Sequence, residues 1–341
     1  MTQICDQYRR PINYLRVSVT DRCNYRCLYC MPETGFAFKP HQEILRYEEI
    51  VRVVRVATEL GISKVRLTGG EPLVRAGIDR LVADLGALPG VDDLSLTTNG
   101  ALLARHALAL KQAGLRRINI SLDTLDADRF HRMTRHGYLN EVLDGIRAAE
   151  AAGLEPVKLN TVVVRGFNDD QVASIARLTL EHPWHVRFIE LMPVGSEEGC
   201  LPGVCDGSSC GHSFVPVAEM RERIQAELGA LIPAEAAREV VGNGPAKYYR
   251  LPGGAGSVGF ISAVSEHFCE RCNRLRLTAD GFLRPCLMAD GEIDLKTPLR
   301  AGASDEEIGA LIRQAVAQKP ERHHLGEHQR PLVRGMAQIG G

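Results

Sequence analysis

The chain has 341 residues with 41 basic and 42 acidic side chains, a formal net charge of −1. This length can bury a large core, and the even charge balance argues against a protein that coats nucleic acid or a membrane surface. No run approaches the roughly 18 apolar residues of a membrane-spanning helix. Ten cysteines, without a signal-type apolar stretch at 1–10, indicate metal binding or redox chemistry in the cytoplasm.

Strand-like runs alternate with helix-like periodicity from about residue 14 to 228. The predicted strands are 14–20, 64–68, 93–97, 117–122, 157–163 and 186–191. Alternating βα units give parallel strands covered by helices. Such a chain forms an incomplete barrel or an open doubly wound sheet.

The positions of the unusual residues favour the barrel. The first predicted strand is followed by a cysteine-rich loop and the second by Gly69-Gly70-Glu71-Pro72. Ser121 and Asp123 end the fourth strand, and Lys158 lies within the fifth, where a solvated surface lysine is not expected. Since βα barrels place active sites at the carboxyl ends of their strands, we predict an incomplete (βα)6 TIM-type barrel of the α/β class.

Three cysteines follow the first strand at C-x3-C-x2-C spacing: Cys23, Cys27 and Cys30. Three thiolates do not complete a tetrahedral zinc site, but they can hold three irons of a cubane cluster and leave the fourth iron open. Buried or disulfide-forming cysteines would explain neither the spacing nor the polar neighbours. The motif resembles the signature of the radical S-adenosylmethionine (SAM) enzymes, in which the open iron binds SAM.

From about residue 238 the pattern changes to short strand-like segments between glycine-rich turns, at 239–241, 247–251, 257–261 and 274–278. We predict a small, partly antiparallel β extension packed on the barrel, with domains at 1–235 and 236–341. A capping box at Ser304 and Glu307 predicts a helix to about residue 318.

A second group of three cysteines lies in this C-terminal part: Cys269, Cys272 and Cys286. A zinc ribbon would need a second pair, so the first motif makes a second open cluster the better interpretation. Arg274 and Arg276 share one face of a strand and suit an oxyanion such as a triphosphate. A solvated pair of surface charges is the alternative.

Two segments remain without a firm assignment from the residues alone. The stretch 195–213 carries Cys200, Cys205 and Cys210, which with His212 could bind zinc. Their spacing is wide, and a flexible surface insertion fits better. The terminal Gly340-Gly341 has the character of a frayed end.

Longer motifs resemble the GTP 3′,8-cyclases, a radical SAM family, nearly from end to end. They are YLRVSVTDRCNYRCLYCMP, RLTGGEPLVR, TTNG, ISLDTL, IELMPVG, CERCNRLRLTADGFLRPCL and QIGG. The resemblance implies the first step of molybdenum cofactor biosynthesis. A 5′-deoxyadenosyl radical removes H3′ of GTP, and the C3′–C8 bond forms to give (8S)-3′,8-cyclo-7,8-dihydroguanosine 5′-triphosphate. It also implies transfer of the product to the pyranopterin-forming enzyme MoaC, a reductant such as flavodoxin or ferredoxin, and leaves a homodimer open.

The resemblance further implies roles for individual residues. The first [4Fe–4S] cluster would use Cys23, Cys27 and Cys30, and the second Cys269, Cys272 and Cys286, with guanine at its open iron. SAM contacts would come from Tyr29, Gly69, Gly70, Glu71, Ser121 and Met192. GTP contacts would come from Arg16, Lys64, Arg66, Thr97, Lys158, Arg274, Leu275 and Arg276. The tail would bring Gly340 and Gly341 into the active site as catalytic residues, contrary to a frayed end.

Two departures and three alternatives accompany this interpretation. The insertion with Cys200, Cys205 and Cys210 is not part of the family pattern and leaves open an extra metal or redox-labile site. Tyr8-Arg9-Arg10 stands where the family often has Phe-Gly-Arg. The chain could instead be another radical SAM enzyme with an auxiliary cluster, for example one that modifies peptides. A two-cluster electron carrier and a zinc-stabilised interaction module are the alternatives from other classes.

Overall fold

A computed structural model of the chain describes residues 3–192, 194, 213–234, 244–323 and 334–340. The strands of the barrel are β1 (Tyr14–Ser18), β2 (Lys64–Thr68), β3 (Asp93–Thr98), β4 (Arg117–Ser121), β5 (Val157–Val163) and β6 (His185–Glu190). The later strands are β7 (Ile232–Pro233), β8 (Lys247–Arg250), β9 (Ser257–Ile261), β10 (Arg274–Leu277), β11 (Phe282–Arg284) and β12 (Ile293–Asp294). The helices are α1 (Tyr47–Glu59), α2 (Ile78–Gly86), α3 (Leu103–Gln112), α4 (Ala127–Thr134), α5 (Leu139–Ala151), α6 (Val172–Glu181), α7 (Val217–Leu228), α8 (Lys296–Arg300) and α9 (Asp305–Ala317).

The six predicted barrel strands are confirmed, and they lie side by side in chain order within one sheet. Each pairs in parallel with the next, from β1 with β2 to β5 with β6. The helices between them cover the outer face, as alternating βα units require. The α/β incomplete barrel is therefore the fold of this part of the chain.

The C-terminal strands join the barrel more closely than the expected small antiparallel unit. β9 pairs in parallel with β6, and β10 pairs in parallel with β1, so both edges of the six-stranded sheet are extended. The antiparallel pairs among the described strands are β7 with β8, β8 with β9, β10 with β11, and β11 with β12. Edge strands offer unpaired backbone groups, and β9 and β10 satisfy those of β6 and β1. The predicted segment 239–241 lies outside the described residues.

The hydrophobic core lies between the outer face of the sheet and the helices. α1 buries Ile50, Val53, Val54 and Ala57, which recur at helical spacing on one side. Burying a side chain of the size of valine or isoleucine stabilises the fold by roughly 1.5–3 kcal/mol. The predicted capping box of α9 is confirmed, because Ser304 Oγ accepts from the Glu307 N–H at 3.2 Å.

The inner face of the sheet is polar, because strand residues alternate between the two faces. Arg16 on β1 lies beside Arg66 on β2 and, across the other edge, beside Arg276 on β10. Their apolar neighbours Val17 and Leu67 point into the core and are fully buried. Among the described residues, no helix is long and apolar enough to cross a membrane.

Arg9 adopts a backbone conformation that favours glycine. Its φ of 60° lies in the left-handed region, which costs an L-residue about 1–2 kcal/mol. The turn that requires it is closed by the Arg9 N–H, which donates to Asp6 O at 3.0 Å. The residue that departs from the Phe-Gly-Arg pattern therefore occupies the position where glycine is conformationally preferred.

We expect Arg9→Gly to stabilise the protein by a net value of about 0.5–1 kcal/mol. Glycine removes the cost of the left-handed backbone conformation, and its greater chain entropy in the unfolded state offsets part of that gain. Urea unfolding followed by circular dichroism would measure the change. Arg105→Gly is the matched control: Arg105 is exposed within α3, and glycine there should cost about 1 kcal/mol. Equal destabilisation by both substitutions would contradict the explanation.

Candidate active site

A large cavity opens inside the barrel and runs from the middle of the strands to the loops at their carboxyl ends. It brings together most of the site residues expected from the sequence. Those that line it are Arg16, Cys23, Cys27, Tyr29, Cys30, Arg66, Gly69, Gly70, Glu71, Thr97, Ser121, Met192, Arg274 and Arg276.

The remaining expected residues lie elsewhere. Lys64 and Lys158 are on the same faces of β2 and β5 as Arg66 and Asn160, nearer the starts of the strands. Leu275 packs in the hydrophobic core, so only its backbone remains for a ligand contact. Gly341 and the insertion cysteines Cys200, Cys205 and Cys210, with His212, lie outside the described residues.

The first cysteine loop is held against the end of α4. The Arg26 N–H donates to Thr134 O and the Leu28 N–H to Met133 O, both at 2.9 Å. Within the loop, the Cys30 N–H donates to Cys27 O at 2.9 Å and forms a tight turn. These hydrogen bonds therefore fix the cysteine loop against the C-terminal end of α4.

The three thiols of this loop lie near one another in a buried environment. Burial, and then the nearby Glu71 carboxylate, raises the pKa of Cys23 to about 11. Burial and Cys23 raise the pKa of Cys30 to about 12, while burial and Cys30 raise that of Cys27. These three thiols need a strongly electrophilic partner before they lose their protons and become thiolates. The irons of an iron–sulfur cluster are such a partner.

The described residues contain no group of three or more His, Cys, Asp or Glu side chains arranged around a single metal ion. A cubane cluster is wider than one ion and is bound at separate iron corners, so its cysteines do not converge on one point. Cysteine thiolates are the usual ligands of such clusters, so these three residues have the side chains that a cluster would require.

Gly69 and Gly70 form a wall directly beside the cysteine loop. The Gly70 N–H donates to Thr20 O and the Glu71 N–H to Arg22 O, both at 2.8 Å. A Cβ on Gly70 would lie 2.3 Å from Arg22 O. Only glycine allows this close backbone approach.

The Glu71 carboxylate fixes the neighbouring strand end. It accepts from the Thr98 hydroxyl at 2.7 Å and from the N–H groups of Asn99 and Leu73 at 2.6 and 3.0 Å. Burial raises its pKa to about 7. Glu71 therefore organises the loops after β2 and β3 around the first cysteine.

Tyr29 connects the cysteine loop to the opposite side of the barrel. Its hydroxyl donates to Asp123 Oδ2 at 2.7 Å, and Asp123 Oδ1 accepts from the Val162 N–H at 2.9 Å. Burial raises the pKa of Asp123 to about 6. This pair holds the loop at a fixed distance from β4 and β5.

Buried cations dominate the deeper part of the barrel: Arg66, Lys158, Arg187 and Arg276 are all at most 9% exposed. Burial, and then the charge of Arg187, lowers the pKa of Lys158 to about 6. Burial and then Arg274 lower the pKa of Arg276 to about 10. These shifts record unfavourable burial and mutual repulsion of like charges.

Three acidic residues of the cavity, Glu71, Asp123 and Glu190, are engaged by other donors. Glu190 accepts from the N–H groups of Val217, Val264 and Ser265, at 2.9 to 3.0 Å, and Glu71 and Asp123 are engaged as described above. Among the described residues, the Nε atoms of Arg187 and Arg274 have no hydrogen-bond acceptor. The interior is therefore complementary to a polyanion.

Arg187 is a cavity residue that the sequence analysis missed. It lies 3% exposed in the middle of β6, and its Nη2 donates to Asn119 Oδ1 at 2.5 Å. The available signal was an arginine within an apolar strand, the same signal that drew attention to Lys158. On β6, candidate residues were taken only from the carboxyl end of the strand, so Arg187 was not among them.

The second cysteine group lies beside β10. The Cys272 N–H donates to Cys269 O at 3.1 Å, and the Met288 N–H contacts Cys286 Sγ at 3.4 Å. Burial raises the pKa of Cys269, and the charges of Cys286 and Cys272 add to the increase. Burial also opposes ionisation of Cys272, but Arg274 and Lys319 outweigh it and lower its pKa to about 7. The three thiols are therefore neighbours and fit a second cluster.

The C-terminal tail enters the barrel and does not form a frayed end up to Gly340. Met336 and Ala337 line the cavity, and Arg276 Nη1 donates to Gly340 O at 3.0 Å. Gly340 has a φ of 73°, and a Cβ there would lie 2.6 Å from Thr68 Oγ1. The tail thus reaches the cationic interior at a position that requires glycine.

Comparisons with known proteins show the family to which the chain belongs. Residues 17–179 match the Radical SAM superfamily, and residues 184–325 match Molybdenum Cofactor Synthesis C. The GTP 3′,8-cyclases of Pelotomaculum thermopropionicum and Moorella thermoacetica are 58% and 54% identical, each over 98% of this chain and 99% of the relative. The crystal structure of Streptococcus suis SuiB bound to precursor peptide SuiA covers 97% of this chain and 77% of its own, with a TM-score of 0.59 and 14% identity, a similarity of fold alone.

The fold, the three-cysteine loop and the superfamily match define a radical SAM enzyme. Membership of this class implies a [4Fe–4S] cluster and SAM. Within that class, the identity over nearly the whole length shows that the chain belongs to the GTP 3′,8-cyclase family.

We expect Gly70→Ala to weaken SAM binding at least tenfold, because the new Cβ would displace the backbone of Arg22, next to Cys23. Equilibrium dialysis with SAM after anaerobic cluster assembly would measure the loss. Gly86→Ala is the control, since its Cβ would meet Ala113 O at an ordinary 3.5 Å. Unchanged SAM affinity in Gly70→Ala would contradict the role of this wall.

Proposed function

We propose that this chain is a GTP 3′,8-cyclase that converts GTP to (8S)-3′,8-cyclo-7,8-dihydroguanosine 5′-triphosphate, the first step of molybdenum cofactor biosynthesis. The observation that carries the proposal is one cavity with a three-thiol loop at its mouth and a buried cationic surface within it. The first suits a SAM-binding cluster, and the second suits a nucleoside triphosphate. The family to which the chain belongs supports the same reaction.

Cys23, Cys27 and Cys30 would hold the first cluster in this scheme. When bound, the cluster and SAM supply a 5′-deoxyadenosyl radical that takes the hydrogen from C3′ of GTP. The expected SAM residues would hold SAM against the loop. They are Tyr29, Gly69, Gly70, Glu71, Ser121 and Met192. Their common task is to fix the reacting groups at short range and to exclude water.

The cations of the inner face would bind the triphosphate. The proposed GTP contacts are Arg16, Lys64, Arg66, Thr97, Lys158, Arg274, the backbone of Leu275, and Arg276, to which the structure adds Arg187. Guanidinium groups bind phosphate oxygens with paired hydrogen bonds. Like charges buried side by side repel one another, so an anionic ligand would offset this repulsion.

A second cluster on Cys269, Cys272 and Cys286 completes the proposed cofactor set. Cys272 directly precedes Asn273 and the proposed GTP contact Arg274, so this cluster would lie at the far side of the substrate. Its open iron would face the guanine. The tail, with Gly340 and Gly341 as its catalytic candidates, would close the same volume through the bond between Arg276 and Gly340 O.

Further parts of the proposal concern organisation and partners. A reductant such as flavodoxin or ferredoxin would supply electrons, MoaC would consume the product, and the chain could act as a homodimer. We divide the chain into a radical SAM part, 1–235, and a cluster- and GTP-binding part, 236–341. A cytoplasmic location fits, because clusters bound by thiolates need a reducing compartment.

The decisive experiment is an anaerobic assay on the reconstituted protein with SAM and dithionite. We expect 5′-deoxyadenosine formation to rise when GTP is added, together with a cyclised product that has the mass of GTP but a different retention time. The hydrogen atom lost from C3′ to deoxyadenosine is balanced by one electron from the reductant and one proton from solvent at the guanine. Deoxyadenosine that ignores GTP would retain the radical SAM class and overturn the substrate. No SAM cleavage with a verified reduced cluster would overturn the reaction class.

We expect GTP binding at pH 8 to take up about one proton through Lys158. Its pKa of about 6 leaves the free amine neutral at this pH, and a bound triphosphate would raise that pKa. The contribution of Lys158 to affinity should therefore be fully present below about pH 6, decline as the pH rises above it, and be lost above the pKa of the complex.

Calorimetry in buffers of different ionisation enthalpy would count the protons. Lys158→Met should abolish the uptake and weaken GTP binding, while Lys111→Met, at an exposed position on α3, should change neither. Identical proton uptake in Lys158→Met and the unmodified protein would contradict the assignment.

A further inference from the structure

Lys319 is a buried cation beside the second cysteine group, one residue beyond the cap of α9. Its exposed fraction is 1%, which is rare for a lysine without a charged partner. The ammonium donates to Arg274 O at 2.8 Å and to Pro285 O at 2.6 Å. It also hydrogen-bonds the Cys272 side chain, so its three donors are used.

These three acceptors belong to the two chain segments that carry the cysteines. Arg274 begins β10, two residues after Cys272, and Pro285 directly precedes Cys286. A single ammonium group therefore fixes the start of one strand relative to the end of its antiparallel neighbour. The relative position of the Cys272 and Cys286 thiols therefore depends on the hydrogen bonds of Lys319.

The residues on either side of Lys319 hold the third thiol. Arg10 Nη1 donates to Cys269 O at 2.7 Å, while its Nη2 donates to Pro320 O at 2.6 Å. The backbone N–H of His323 hydrogen-bonds Cys269 itself. The segment 319–323 thus contacts the surroundings of all three cysteines.

The charge of Lys319 is not balanced by a carboxylate. Among the described residues, its hydrogen-bond acceptors are two carbonyl groups and one thiol, and Asp6, which is close in the fold, is paired with Arg10 at 2.6 Å. A buried ammonium costs several kcal/mol unless a negative charge compensates it. A thiolate ligand bearing the negative charge of a reduced cluster would compensate it.

We propose that Lys319 is a positioning residue for the second iron–sulfur cluster, which holds Cys272 and Cys286 in place and favours the reduced cluster through its positive charge. This inference rests on the second cluster of the proposed function. A residue outside both cysteine motifs would then control the reduction potential of that cluster.

The test uses the full-length chain in which Cys23, Cys27 and Cys30 are replaced by alanine, so that the remaining iron belongs to the second cluster. Iron content is measured after anaerobic assembly, and the midpoint potential by an EPR-monitored titration. We expect Lys319→Met and Lys319→Gln to make one-electron reduction about tenfold less favourable, a shift of about 59 mV to lower potential. Lys111→Met is the matched control and should leave the potential unchanged.

Each result decides a separate point. Absence of iron in the chain that retains Lys319 would overturn the second cluster itself. Full iron content with an unchanged potential in both Lys319 variants would overturn the inference alone. Loss of iron in Lys319→Met that Lys319→Gln restores, without a change in melting temperature, would support the positioning role. Loss of iron and of the fold in both variants would overturn it in favour of a general structural role.

Discussion

The burial of several positive charges inside the barrel is the constraint on which the rest of the site depends. Strand alternation places arginine and lysine on the inner face, and the register aligns Arg16 with Arg66 and Arg276. Burial and the repulsion of neighbouring cations lower the pKa values of Lys158 and Arg276. A bound triphosphate would carry the negative charge and the hydrogen-bond acceptors to relieve this repulsion.

The opposite end of the cavity has a different chemistry. Glu71 and Asp123 are buried carboxylates near the cysteine loop, and each is held by backbone or hydroxyl donors. The cavity is thus divided into a thiol-rich mouth and a cationic interior. A nucleotide bound with its phosphates inside would present its sugar toward the mouth, where the first cluster and SAM would lie. The charge distribution of the cavity would therefore set the orientation of the nucleotide. That orientation would in turn decide which atoms of the nucleotide react.

The sequence predicted those features that depend on local pattern. Cysteine spacing marked both thiol groups, and the glycine pair at 69–70 marked a close backbone contact that the structure places beside Arg22 O. It did not predict that β9 and β10 extend both edges of the barrel, because strand pairing over such distances leaves no periodic signal. Lys319 was missed for a similar reason: its partners lie 34 and 45 residues away. The residues alone also failed to place Gly340, whose role depends on Thr68 and Arg276 across the fold.

The central claim is that the buried cations recognise the triphosphate, and a phosphate series tests it most directly. Calorimetric affinities of GTP, GDP, GMP and guanosine would be compared at one ionic strength with SAM present. We predict a marked loss of affinity with each phosphate removed, with guanosine the weakest ligand, and a decline of GTP affinity as salt is added. Equal affinity for GTP and guanosine would contradict the account, because the cationic interior would then contribute nothing to recognition.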